Sequence, residues 1–308
     1  MLKGKDLLSI HDLSTDEVAE ILELAARLKV MQKSGIEHKY LAGKTLGMIF
    51  EKSSTRTRVS FEVGIYQLGG MGLFLSSKDL QLGRGEPIKD TARVLSRYLD
   101  GIMIRTYEQA KVEELAKFAD IPVINGLTDL LHPCQVLTDL LTIREHKGKN
   151  FRALKAAYVG DGNNMTNSWF YGAAKVGMTF TAATPANYKP NPKVFENALS
   201  DAEETGAKLS WMEDPAEAVK DADIVITDTW ASMGQEAEHD ARKKIFAPYQ
   251  VNKKLLSGAS KNVIAMHCLP AYRGEEITDD VLEDNAHVIF EEAENRLHTQ
   301  KAIMALLM

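Results

Sequence analysis

Short apolar runs alternate with segments of helical period along almost the whole chain, and this alternation limits the fold more than any other feature. "STDEVAEILELAARLKVMQKSG" opens with Ser14 or Thr15 as an N-cap and puts Val18, Ile21, Leu22, Ala25 and Leu28 on one face before Gly35. "KTLGMIFEKSS" follows as a buried strand leading into a loop, then a helical stretch from Arg56 to Leu68 and a second strand in "GGMGLFLSS". Ile88 to Tyr98 reads as helix, "GIMIRT" as strand, Gln109 to Phe118 as helix, "IPVING" as strand and "HPCQVLTDLLTIREHKG" as helix. After the polar stretch "EHKGKNFRAL" the rhythm resumes through "LKAAYVGDG", "NSWFYGAAKVG", "MTFTAATP", "NPKVFENALSDAEETG", "KLSWME" and "ADIVITDTW". "KNVIAMHCLP", "HVIFEEAENR" and a terminal helix to Met308 close the chain.

Such alternation requires parallel sheets covered on both faces. The expected fold class is α/β: two doubly wound parallel-sheet domains with the active site in the cleft between them. The chain has 308 residues, too many for one small core. Residues 1–147 form the first expected domain and 148–290 the second. A C-terminal helix over 291–308 is expected to pack back on the first.

In open α/β sheets, ligands bind beyond the carboxyl ends of the strands. The loops at those ends are "SSTRTR", "RT", "LLHPCQ", "GDGNN", "DTWASMG" and "HCLP", and polar or reactive residues gather in them. "SSTRTR" leads into a helix, whose free N–H groups join the hydroxyls of Ser54, Thr55 and Thr57 and the Arg56 side chain to suit an oxyanion. A hydroxyl-capped helix with solvated arginines would read the same way. Arg58, next to Val59, is the weaker candidate. Arg105 closes a buried strand and needs an anionic partner. His132 precedes Pro133 at a helix start, with Gln135 three residues on, on the same side of the first turn; taken alone, such a histidine is more often a satisfied structural residue than a ligand.

"GDGNN" has the first two glycines of a dinucleotide turn, Gly160 and Gly162, but Met165 stands at the third. Asn163 and Asn164 then become candidate amide ligands, and Asp228 of "DTWASMG" a partner for an ammonium group.

The net charge of −6 argues against general nucleic-acid affinity. No apolar run is long enough to span a membrane, and no secretory signal opens the chain, so a cytoplasmic location is expected. Cys134 and Cys268, the only cysteines, lack the spacing of a zinc or redox pair.

Taken together, "SSTRTR", "HPCQ" and "HCLP" resemble the motifs of the transcarbamylases, which move a carbamoyl group from carbamoyl phosphate to an amine. "DTWASMG" with "GDGNN" resembles their ornithine-specific branch, and "DLQLGRGE" resembles a further family segment. The resemblance runs nearly end to end. It implies a carbamoyl-phosphate site of Ser54, Thr55, Arg56, Thr57, Gln81, Arg105, His132 and Gln135, completed by Cys268, Leu269 and Arg296. For ornithine it implies Asn164, Asp228, Ser232 and Met233. Arg105, His132, Asp228 and Cys268 would serve the chemistry, with no metal and no organic cofactor. It also implies a homotrimer or a multiple of one, with the loop bearing Gln81 reaching a neighbour.

Three other functions share parts of this pattern. An aspartate-specific relative would want basic residues where this chain has Asp228. A putrescine enzyme would not need contacts to an α-amino-acid head. A nicotinamide-dependent dehydrogenase conflicts with Met165.

Overall fold

The computed structural model describes residues 2–77, 85–231 and 238–308. The chain divides into two compact units, one of Met1–Leu141 with Asn295–Met308 and the other of Thr142–Glu294.

The first unit holds strands β1 (Thr45–Phe50), β2 (Met71–Ser76), β3 (Gly101–Arg105) and β4 (Val123–Leu127), all parallel, in the order β2-β1-β3-β4. Helices α1 (Thr15–Lys33), α2 (Thr55–Gln67), α3 (Ile88–Leu95) and α4 (Gln109–Phe118) accompany them. A capping box at Ser14 and Glu17 starts α1, which resolves the choice of N-cap in favour of Ser14. Strand β3 is buried throughout and β1 nearly so, because apolar side chains pack on both of their faces. The two edges of the sheet differ. Leu7 pairs with Ile124 and covers the β4 edge, whereas β2 exposes Met71, Leu73 and Phe74.

α5 (Pro133–Lys147) runs from the first unit into the second. The expected boundary after Lys147 therefore differs from the division at Leu141, since one helix passes through both positions. The second unit orders its parallel strands β7-β6-β5-β8-β9: β5 (Lys155–Val159), β6 (Thr179–Ala183), β7 (Lys208–Met212), β8 (Ile224–Thr227) and β9 (Ile264–His267). Its helices are α6 (Asn164–Val176), α7 (Pro192–Thr205), α8 (Pro215–Val219), α9 (His239–Phe246), α10 (Lys253–Leu256) and α11 (Asp279–Asp284). "HVIFEEAENR" and the terminal helix are one element, α12 (Ala286–Leu307), whose second half belongs to the first unit.

Each sheet reverses its winding once, between β1 and β3 in the first unit and between β5 and β8 in the second. At such a reversal the loops leaving two neighbouring strands diverge to opposite faces and open a crevice at the carboxyl ends. "SSTRTR" and Arg105 flank the first reversal, and "GDGNN" and "DTW" flank the second.

Candidate active site

In the first unit, Ser54 caps α2 by accepting the Thr57 N–H at 3.2 Å. The cap turns the Thr57 side chain inward, where its hydroxyl accepts from Arg105 at 3.3 Å and from Arg296 at 3.0 Å. Arg296 also donates to the Gln135 amide oxygen at 2.6 Å, and Gln135 donates to Asp139 at 2.7 Å. Thr57, Arg105, Gln135, His132 and Arg296 are all buried. They come from α2, the end of β3, the α5 N-terminus and α12, so the expected set converges from four separate stretches of chain. Burial, then the Arg296 and Arg105 charges, hold the His132 imidazole well below its ordinary pKa. His132 is thus neutral near pH 7 and able to donate a hydrogen bond without adding charge.

The two arginines of "SSTRTR" have different surroundings. Arg58 is exposed, reaches Glu62 one turn along at 3.4 Å and lies 3.8 Å over the Phe74 ring. Arg56 is half-buried and has no ion-pair partner among the described residues. Ser54 is half-buried and Thr55 exposed at the start of α2. Lys52, just before the run, was not anticipated. It is buried, pairs with Asp129 and lies 4.3 Å over the Tyr107 ring. Its adjacency to "SSTRTR" was the available signal.

In the second unit, Asp228 follows β8 and is buried. One carboxylate oxygen accepts from the Thr229 N–H at 2.8 Å and the Cys268 thiol at 3.2 Å, the other from the Asn163 amide at 3.1 Å. No cation pairs with it among the described residues. Asn163 caps α6, accepting from Met165 and Thr166 N–H groups at 2.9 and 3.3 Å. Asn163 therefore spends its amide oxygen on the α6 cap and one N–H on Asp228, which leaves the second N–H for the expected amide-ligand role. Asn164 is half-buried at the first turn of α6. Gly162 has a packing reason: a Cβ there would meet the Tyr188 carbonyl oxygen at 2.3 Å. The G-x-G spacing thus serves a close backbone approach.

Cys268 and Leu269 follow β9 in this second unit. Leu269 has φ of 57°, left-handed for a residue with a side chain, and its N–H donates to His267 Nδ1 at 2.9 Å. That bond leaves the His267 proton on Nε2, which faces the buried Glu276 carboxylate at 3.0 Å. Donor atoms of Asp228, His267 and Cys268 lie within 4.8 Å of one another, a spacing a metal would accept. With both His267 nitrogens engaged, the imidazole has no lone pair to spare for one. Gln81, Ser232 and Met233 lie outside the described residues.

Cys134 is buried and its thiol, which donates to the Asn125 carbonyl at 3.4 Å, is pushed up to about 12 by burial, so it is a packing residue. No helix among the described residues is long and apolar enough to cross a membrane.

The first unit thus gathers two buried arginines at its reversal, and the second a buried carboxylate that pairs with no cation among the described residues. The two halves match the carbamoyl-P binding domain (residues 5–145) and the Asp/Orn binding domain (residues 152–307) of the aspartate/ornithine carbamoyltransferase models, and the chain belongs to that family. It is a carbamoyltransferase. Within the family, the ornithine carbamoyltransferase of Oceanobacillus iheyensis is 60% identical over 307 residues, covering 100% of this chain and 95% of its own. That of Carboxydothermus hydrogenoformans is 59% identical, covering 99% and 98%. The solved ornithine carbamoyltransferase of Pyrococcus furiosus superposes with a TM-score of 0.96 at 54% identity, covering 100% of this chain and 98% of its own.

Proposed function

We propose that this chain is an ornithine carbamoyltransferase, moving the carbamoyl group of carbamoyl phosphate to the δ-amine of L-ornithine to give L-citrulline and phosphate, in arginine metabolism. The observation that carries the reading is the buried Asp228 carboxylate, held by an amide, a thiol and a backbone N–H but by no cation among the described residues. A buried charge of that kind calls for an ammonium partner. It would repel the second carboxylate of aspartate.

In the proposed reaction, the first unit holds carbamoyl phosphate. Arg56, the Ser54, Thr55 and Thr57 hydroxyls and the α2 N-terminus serve the phosphate, with Gln81 as a further ligand. Arg296 and Gln135 hold the donor in place. Attack of the neutral amine forms the new C–N bond and builds negative charge on the carbamoyl oxygen. Arg105, neutral His132 and Thr57 stabilise that charge in a water-poor setting. The C–O bond to phosphate then breaks, the electron pair leaves with phosphate, and the amine gives up a proton.

The second unit holds ornithine. Asp228 takes its α-ammonium, Asn164 and Ser232 its amino-acid head, and Met233 its aliphatic chain. Cys268 and Leu269 shape the approach of the amine. Cys268 already shares its proton with Asp228, which fits an orienting group and not a nucleophile.

A cytoplasmic homotrimer, or a multiple of one, completes the reading. Association of copies is supported by the apolar face of α2 and β2, where Val59, Tyr66, Met71 and Phe74 are exposed beside a sheet edge that no strand covers among the described residues. Light scattering that finds an active monomer at assay concentration overturns this part.

The test of the function is a citrulline assay with carbamoyl phosphate and, in turn, ornithine, aspartate and putrescine. Turnover with ornithine is expected; preference for either competitor overturns the assignment.

A further inference from the structure

Arg242 on α9 is buried although it carries a full charge. Its Nη2 donates to the Asp161 carboxylate and its Nε to the Trp230 carbonyl oxygen. The guanidinium lies 4.7 Å from the Tyr188 ring centroid and 5.0 Å from that of Phe246, and Trp230 stacks on the same Phe246 ring at 6.1 Å. Glu238 also approaches at 3.9 Å but is exposed and screened.

The positions of the two acceptors matter more than the pairing itself. Asp161 stands two residues before Asn163, and Trp230 two residues after Asp228. One rigid fork therefore grips both flanks of the 3.1 Å Asn163–Asp228 contact. Tyr188 adds to the clamp, because its carbonyl accepts the Gly162 N–H at 3.0 Å while its ring packs on the guanidinium. A surface arginine would need none of these partners, and a core position filled only for packing would not select a charge.

We propose that Arg242 is a positioning residue for the amino-acid site, locking the β5–α6 turn to the end of β8 and so setting the geometry of the Asn163–Asp228 pair. The inference rests on the ornithine reading above. Burial pushes the Asp161 carboxyl up to about 6 even with the guanidinium attached. Without Arg242 that carboxylate would be left in an apolar setting with Asp228 as its charged neighbour, and the turn would lose its reason to stay put.

The experiment compares Arg242→Gln, Arg242→Lys and Asp161→Asn with the parent enzyme. For Arg242→Gln, KM for ornithine is expected to rise about tenfold or more with kcat nearly kept, as loss of charge-assisted hydrogen bonds implies. Calorimetric affinity for carbamoyl phosphate should be unchanged. Arg242→Lys should recover part of the loss, since an ammonium reaches one of the two acceptors but not both. Asp161→Asn keeps the shape and supplies the comparison if Arg242→Gln does not fold. A second readout needs no substrate: iodoacetamide alkylation of Cys268, with Cys134 buried and silent. When Asp228 drifts away from the thiol, Cys268 should react several-fold faster, on the order of the change in thiolate fraction. Unchanged ornithine KM together with unchanged Cys268 alkylation overturns the proposal, as does equal damage to both substrates with a lowered melting temperature. If the parent makes no citrulline from ornithine, the substrate reading falls and the thiol readout alone decides the positioning role.

Discussion

In the first unit two buried arginines meet on one threonine hydroxyl, whereas in the second a buried carboxylate rests among an amide, a thiol and a backbone N–H. Gathering two guanidinium groups on one hydroxyl, and burying a carboxylate that no cation pairs with among the described residues, each cost free energy. In the proposed reaction each place receives a ligand of opposite sign. The contrast also separates two kinds of histidine. His132 is kept neutral by burial and then by the arginines at its side, whereas His267 has its tautomer set by the Leu269 N–H and the Glu276 carboxylate.

The hardest blow to this contrast comes from removing the negative charge. Asp228→Asn keeps the size but removes the charge that would attract an ammonium group, and its single amide oxygen can serve only one side of the present donor set. We expect kcat/KM for ornithine to fall by about two orders of magnitude, as for a lost charge-assisted contact in a buried site. Carbamoyl-phosphate affinity, measured by calorimetry without ornithine, should change little. Equal damage to both ligands would mean that Asp228 holds its unit together and selects nothing.

Removing a positive charge is the reciprocal test. Arg56→Ala should weaken carbamoyl phosphate by about 10- to 100-fold, the equivalent of roughly 1.5–3 kcal/mol for a charge-assisted bond to an oxyanion. Circular dichroism should show an unchanged fold, because Arg56 has no ion-pair partner to lose among the described residues. Near-normal kinetics would return "SSTRTR" to a capped helix with solvated arginines.

The strands and most helices were legible because both periods are strong. Strand β3 reads as five buried residues in a row, and α4 spans the stretch its pattern suggested. Arg105 was legible for a related reason, as a charge that closes a buried strand has to be used. The division of the chain was harder to read, since α5 and α12 carry it in mid-helix without a composition change. The cap role of Asn163 was not legible, because an asparagine next to a helix start serves as cap or ligand with the same local sequence. Arg242 was invisible: its partner Asp161 lies 81 residues away, and nothing in "HDARKKIF" distinguishes one buried cation among several exposed ones. Long-range pairs of that kind leave no periodic trace.

The smallest effect, and the one that sharpens the contrast most, is the response of each unit to acid. His132 has its pKa depressed below 6.5 in the folded state, so its contribution to stability is present above about pH 6.5 and is lost as pH falls through the lowered value. Asp161 has the opposite sign. Its pKa rises from 3.8 to about 6 through burial, only partly offset by Arg242, so the folded chain takes up a proton between those values while the unfolded chain does not. Acidification from pH 7 to 5 should therefore weaken the first unit at His132 and relieve the second at Asp161. Hydrogen exchange followed peptide by peptide, corrected for the intrinsic pH dependence of exchange, separates the two. Protection around β3 and the α5 N-terminus should fall with acid in the parent and fall less in His132→Gln. Protection around β5 and the α6 N-terminus should gain an acid-side increment in the parent that Asp161→Asn abolishes. If both regions lose protection in parallel and neither substitution alters the slope, the two charges do not differ in the way their surroundings imply.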